Sequence, residues 1–211
     1  MPTCVVSVAE PIDPTAEAPV RTLRIAPALA TDTWHAGYDP SGRVRVELDG
    51  PGRDVRVTLA DDWRTVVGPH RVGEAAVAAH GQAVVARMTA WAVDTALPEP
   101  LPYGEPGAEQ LATLRDAHRE LAVFRRRLAE VRAVPVTVEV SAVQITVRDG
   151  RPSGARITRA GSDDAELAAA LAAGLRAALA VVAEQPAAAL ARCPALRAVL
   201  GSSRLPLPFG L

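Results

Sequence analysis

Five arginines fall between residues 115 and 127: Arg115, Arg119 and the run Arg125-Arg126-Arg127. A guanidinium is planar, permanently charged and able to hold two phosphate oxygens at once, so a row of them along a helix could grip successive phosphates. Steps of four and seven residues put Arg115, Arg119 and Arg126 on one polar edge, away from Leu114, Leu121 and Leu128. Asp116, Glu120 and Glu130 share the segment, and Arg126 and Glu130 stand four apart. A solvated face laced by ion pairs is therefore the competing reading, and charge pattern alone prefers it. Arg43, Arg45 and Arg56 form a second candidate, diluted by Glu47 and Asp54.

Other chemistry finds little footing. His35, His70, His80 and His118 are scattered and form no ligand pair. His80 and His118 fall on apolar helical faces, where a packing histidine is the expected role. Asp61 and Asp62 are adjacent at a strand end, so they diverge and read as a solvated turn. Gly50-Pro51-Gly52 sits in a hairpin rather than before a helix N-terminus, so it is no phosphate loop. Cys4 and Cys193 lack metal-ligand spacing and read as two ordinary thiols. The expectation is a protein that is not an enzyme, with no catalytic residue, metal site or cofactor.

Composition narrows the partners. The formal net charge is −1, so no global field draws nucleic acid or an acidic membrane. The chain has no lysine; GC-rich coding bias is the preferred explanation, and guanidinium-specific phosphate recognition is the other. Aromatic residues make up only 3%, so alanine, valine and leucine must build the core. The start lacks a basic, long-apolar leader pattern, and 167–183 is amphipathic and broken by Gly174 and Arg176. Both point to a cytoplasmic protein with no membrane partner.

The elements that would position these residues read as follows. Residues 1–40 form an irregular segment with short strands at 5–8 and 22–25, and Trp34–Pro40 reads as a turn rich in large side chains. Residues 41–97 form a first repeat: strands alternate through Val44, Val46, Leu48 and Val55, Val57, Leu59, then a helix shows Val77, His80, Val84, Met88 and Trp91 on one face. A Pro-rich linker spans 98–107. The second repeat, 108–185, opens with a helix at 108–133 that Pro135 stops. Strand residues Val138, Val140, Val143, Ile145 and Val147 follow, then a turn at Asp149-Gly150 and a strand through Ile157. Its last helix is capped near Asp163 and shows Leu167, Leu171, Leu175, Leu179 and Val182. After Pro186 come a short helix near 187–200 and a tail to 211. Both repeats carry Asp-Gly at a turn, but the turns match at an offset of 100 and the preceding strands at 99, which implies an inserted residue or bulge. The fold class is α+β: two tandem hairpin-plus-helix units, antiparallel sheets packed on long helices.

The segment 43–90, with GRVRVELDGPGRDVRV and then VGEAAVAAHGQAV, resembles the YbaB/EbfC family of small bacterial nucleoid-associated proteins. Residues 108–184 add the helix–sheet–helix plan of that family. The resemblance implies two copies of a unit that family members hold once and assemble into intertwined DNA-binding homodimers, so a built-in pseudo-dimer is one arrangement it offers. It also implies DNA binding, with Arg115, Arg119, Arg125, Arg126 and Arg127 as the candidate contacts. The first copy lacks the leading helix, and the termini lack the basic runs that would hold DNA firmly. Two functions follow: weak DNA binding without base readout, or a protein-interaction module, binding another protein or a second copy, that keeps the fold.

Overall fold

The structure, a computed structural model, describes residues 32–94, 107–159 and 163–202. Cys4, the short strands expected near the N-terminus, residues 98–106 of the linker and the tail from 203 lie outside the described residues. Strands β1 (Trp34–Tyr38), β2 (Val44–Asp49) and β3 (Val55–Leu59) form one antiparallel sheet in that order. Strands β4 (Val136–Val140), β5 (Val143–Arg148) and β6 (Arg151–Ile157) form the other. Between and after them run α1 (Trp63–Val66), α2 (Val72–Asp94), α3 (Ala108–Ala133), α4 (Asp164–Leu190) and α5 (Pro194–Ser202). The α+β class read from the sequence is the class observed.

Alternation does what half-buried strands require. Val44, Val46 and Leu48 point inward, as do Val143, Ile145 and Val147, and all six are fully buried or nearly so. Two strands escaped the sequence reading. Residues 34–38 pair with β2, from Trp34 opposite Asp49 to Tyr38 opposite Arg45, so they are a strand and not a turn. The turn comes after them. The Asp39 carboxylate accepts hydrogen bonds from the Ser41 hydroxyl at 2.6 Å and from the Val44, Arg43 and Ser41 amides at 2.7, 2.8 and 3.0 Å. Burial alone would raise its pKa, but these donors together hold it below the ordinary carboxylate value. Likewise the run from Val138 to Val147 is two strands: Ser141 adopts φ 54° and Val140 pairs with Val143 across the reversal.

The matching Asp-Gly letters are not structurally equivalent. Asp149 and Gly150 both have positive φ (52° and 72°) and form the two-residue loop of a tight hairpin, the conformation that Asp-Gly favours. Asp49 instead ends β2, and its carboxylate accepts the Arg53 and Asp54 amides across a longer loop in which Gly52 carries φ 72°. The offset of 99 is therefore the structural one. The inserted residue that the offset implied between strand and turn is absent; the irregularity present, between the Thr146–Gly154 and Val147–Pro152 pairs, leaves Ser153 extra in β6, after the turn, and does not cause that offset.

Helices α2 and α4 close both sheets at once. Helix α2 lies on β1 and β2 and reaches β6; α4 lies on β3, β5 and β4 and touches β6. Exchanging the units maps most of these contacts onto one another, with the packing of α4 on β6 and on α3 as the exceptions. One apolar core runs through both, with Val46, Leu48 and Ala79 beside Ile145, Leu171 and Leu175. The buried face of α2 differs from the one expected. It consists of Val72, Gly73, Ala75, Ala76, Ala79, His80 and Ala83, while Met88 is exposed and Val77, Val84 and Trp91 are half-buried. At about 100° per residue, the true face is rotated by roughly 100° from the Val/Met/Trp stripe. The reason is proximity: a Cβ on Gly37 of β1 would overlap the Ala79 carbonyl and the Ala83 amide, so only small side chains fit between helix and strand. Helix α4 also runs past its expected end, through the buried Pro186 to Leu190. Proline removes one backbone hydrogen bond there, yet the helix continues because its far side packs on α3.

Candidate functional site

Helix α3 spans the residues expected of it. Gly107 precedes it, and Val134 turns extended (ψ 115°) under the constraint of Pro135. Ala117 and Phe124 are its buried residues, and Phe124 joins Ala189 and Cys193 in a small second core flanked by Leu121, Val123, Leu128 and Leu196. Toward the N-terminus that cover ends: Leu111 and Leu114 are 37% and 45% exposed.

Opposite the buried stripe lie the arginines. Arg115, Arg119 and Arg126 are exposed and share one face, spanning about 16 Å along the axis from Arg115 to Arg126. Arg125, exposed, and Arg127, half-buried, point to either side of that line because consecutive residues are about 100° apart. The structure thus groups three of the five candidates and separates two. Arg119 pairs with Asp116 at 3.2 Å, both side chains being more than half exposed. Such a pair contributes little and is easily exchanged for another anion. The anticipated Arg126–Glu130 pair does not form among the described residues.

Glu120 has a different task. Its carboxylate accepts the Leu196 amide at 2.9 Å, in the first turn of α5, while the buried Cys193 precedes that helix. The acid therefore serves a helix N-terminus, where backbone N–H groups and the helix dipole favour negative charge. It sits at least about 100° around the helix from the arginine line, whereas the exposed Glu130 falls on that face. Nothing local in the sequence signals the Glu120 contact, because its partner lies 76 residues away.

The second arginine group is spoken for in part. Arg43 pairs with Asp62 at 2.8 Å and Arg45 with Glu47 at 2.7 Å. Arg56 places its guanidinium 3.7 Å from the Trp34 ring centroid, and Arg45 lies 5.9 Å from that of Tyr38. Two further arginines hold the hairpins. Arg87 of α2 donates to the Gly50 and Pro51 carbonyls at 2.7 and 3.1 Å, and burial lowers its pKa while nearby Asp49 opposes that shift. Arg132 of α3 lies against Gly150, and its carbonyl accepts the Asp149 amide at 3.0 Å.

The histidines stay apart. His35 and His80 are buried, and His70 and His118 are exposed. Burial pushes the His80 pKa down to about 4, so it is neutral at physiological pH. No group of three or more His, Cys, Asp or Glu side chains that could hold a metal ion occurs among the described residues. Helix α4 is long and apolar enough to cross a membrane by length and composition; here it lies against strands of both sheets. No family model, curated protein or solved structure matches the chain.

Proposed function

We propose that this is a non-enzymatic, YbaB/EbfC-like nucleoid-associated protein that binds duplex DNA weakly, through backbone phosphates and without base readout. One observation carries the reading: Arg115, Arg119 and Arg126 form an exposed line along one face of α3. Contacts of guanidinium to phosphate fix position on DNA but carry no sequence information. The helix–sheet–helix order of the second unit and the core shared by both units agree with the resemblance to that family. On this reading the protein works in the cytoplasm, at the nucleoid. A gel-shift titration at two salt concentrations tests it. Binding should weaken steeply with salt, and changing Arg115, Arg119 and Arg126 to alanine should reduce the slope of log K against log salt by about 3, one phosphate contact each. Absence of duplex binding at low salt sinks the proposal.

A second reading has its own observation. Leu111 and Leu114 lie uncovered beside Arg115, His118 and Arg119 in a shallow depression on α3. An exposed apolar patch rimmed by polar groups is the composition of a protein-interaction site. Binding of a protein partner or a second copy there would be nearly insensitive to salt, and Leu114→Asp would abolish it.

A further inference from the structure

Strand β1 lies at the edge of its sheet, and that edge borders a groove. The Asp39 amide donates to the Val44 carbonyl at 3.0 Å, which sets the alternation of the β1–β2 ladder. Counting back from Asp39, Gly37 and His35 turn their backbone groups toward β2. Those of Tyr38, Ala36 and Trp34 face the open edge. Nothing in β1 repels an added strand: it holds no proline, lysine or acid, and its pairing with β2 has no bulge. Gly37 and Tyr38 form one wall of the groove, and Ala78, Gln82 and Val85 on a flank of α2 form the other. Val85 is 57% exposed there. An edge strand beside a helix is suited to taking up an extended segment through main-chain hydrogen bonds.

We infer that residues 22–26 of this chain pair antiparallel with β1 as a fourth strand, with Leu23 opposite Gly37 and Arg24 opposite Ala36. Three features select this occupant. The first is register. Opposite residues share a face and Gly37 faces α2, so this pairing turns Leu23 and Ile25 to the helix and Thr22 and Arg24 to water; a slip of one residue inverts it. The second is complementarity on the water side. Ala36 leaves a slot between the Trp34 and Tyr38 rings, where the Arg24 guanidinium can lie against either ring, with Glu47 beyond Ala36 on β2. The third is connectivity. Residues 27–33 join the segment to β1, and a short tether gives an effective concentration on the order of millimolar. Pro27, which has no N–H to donate, falls just outside the paired stretch. A second copy of β1, paired antiparallel, would bring His35 and Gly37 to the helix side and no aliphatic side chain to cover Val85. The added strand is independent of the DNA-binding reading.

The test is NMR on the full chain, reading amide exchange and contacts between α-protons. The Ala36 and Tyr38 amides should be protected, and the protection should not change on dilution. Leu23 and Gly37 form a non-hydrogen-bonded pair, so their Cα atoms lie about 4.5 Å apart and their α-protons should give a cross-peak. Arg24→Pro removes the amide that donates to Ala36 and should speed exchange at Ala36 and Tyr38 at least about tenfold. Leu23→Asp should act in the same direction, while slow exchange at Val46 in both variants shows that the sheet itself persists. Free exchange of Ala36 and Tyr38 in the unmodified chain overturns the inference. Protection that falls on dilution assigns the edge to a second copy and overturns it too. So does protection that survives Arg24→Pro, or a Gly37 α-proton that meets residues 5–8 instead of Leu23.

Discussion

The two units build the same helix-on-sheet contact with different materials. In the first, α2 presents alanine and glycine and comes down on β1 until its backbone meets Gly37. In the second, α4 presents Leu167, Leu171 and Leu175, and a Cβ added at Gly174 would meet only side-chain methyl groups of Ile145 and Val143, at 3.1 and 3.3 Å. Where backbone touches backbone, the spacing is set by atoms that cannot rotate away. Where side chains fill the gap, methyl groups can yield. A repeat can thus keep its layout while one copy becomes rigid and the other stays adjustable.

Three measurements probe this contrast, largest effect first. Gly37→Ala should cost at least about 3 kcal/mol in a denaturant titration, because the new methyl overlaps the α2 backbone and neither element can shift alone; a loss under 1 kcal/mol would remove the case for backbone-limited packing. Acid should then act mainly through the first unit, which holds His35, Asp39 and His80 of the four buried polar side chains among the described residues. The His80 pKa is depressed to about 4, so its contribution is complete above pH 6.5 and shrinks as pH falls toward 4. From 2.5 units of separation the loss approaches about 3 kcal/mol, and His80→Gln should flatten the stability profile across that window. Asp39, also depressed, adds further loss below its ordinary value. Gly174→Ala completes the set. Its gain in helix propensity of about 1 kcal/mol offsets the tight contact with Ile145, leaving a net change below about 1 kcal/mol. Equal damage from Gly37→Ala and Gly174→Ala would erase the distinction between the units.

Legibility in the sequence followed the same line. Alternation exposed β2 and β5 because large branched residues mark their buried faces, and Gly107 and Pro135 bracket α3 closely. Helix α2 misled because alanine and glycine do not register as an apolar stripe, whereas Val84, Met88 and Trp91 do. Strand β1 hid for a related reason: its inward residues, His35 and Gly37, are not ones an apolar pattern would select. The Asp-Gly pairs drew attention to both hairpins while misaligning them by one residue. At the candidate site, spacing alone placed Arg115, Arg119 and Arg126 together. The diversion of Glu120 to α5, and the rings of Trp34 and Tyr38 turned outward beside Arg56 and Arg45, depend on partners distant in sequence or on a strand that was not recognised.

The shared core also has a cost in time. The Arg64–Asp164 ion pair joins residues 100 apart, and the packing of β3 on α4 spans a similar separation. At about 5–20 residues per second, a ribosome needs roughly 5–20 s to make the intervening chain. Throughout that interval the first sheet has emerged with only part of its cover, and the alanine face of α2 awaits β6. The nascent protein therefore carries an open, sticky half-molecule that only its own final third can close.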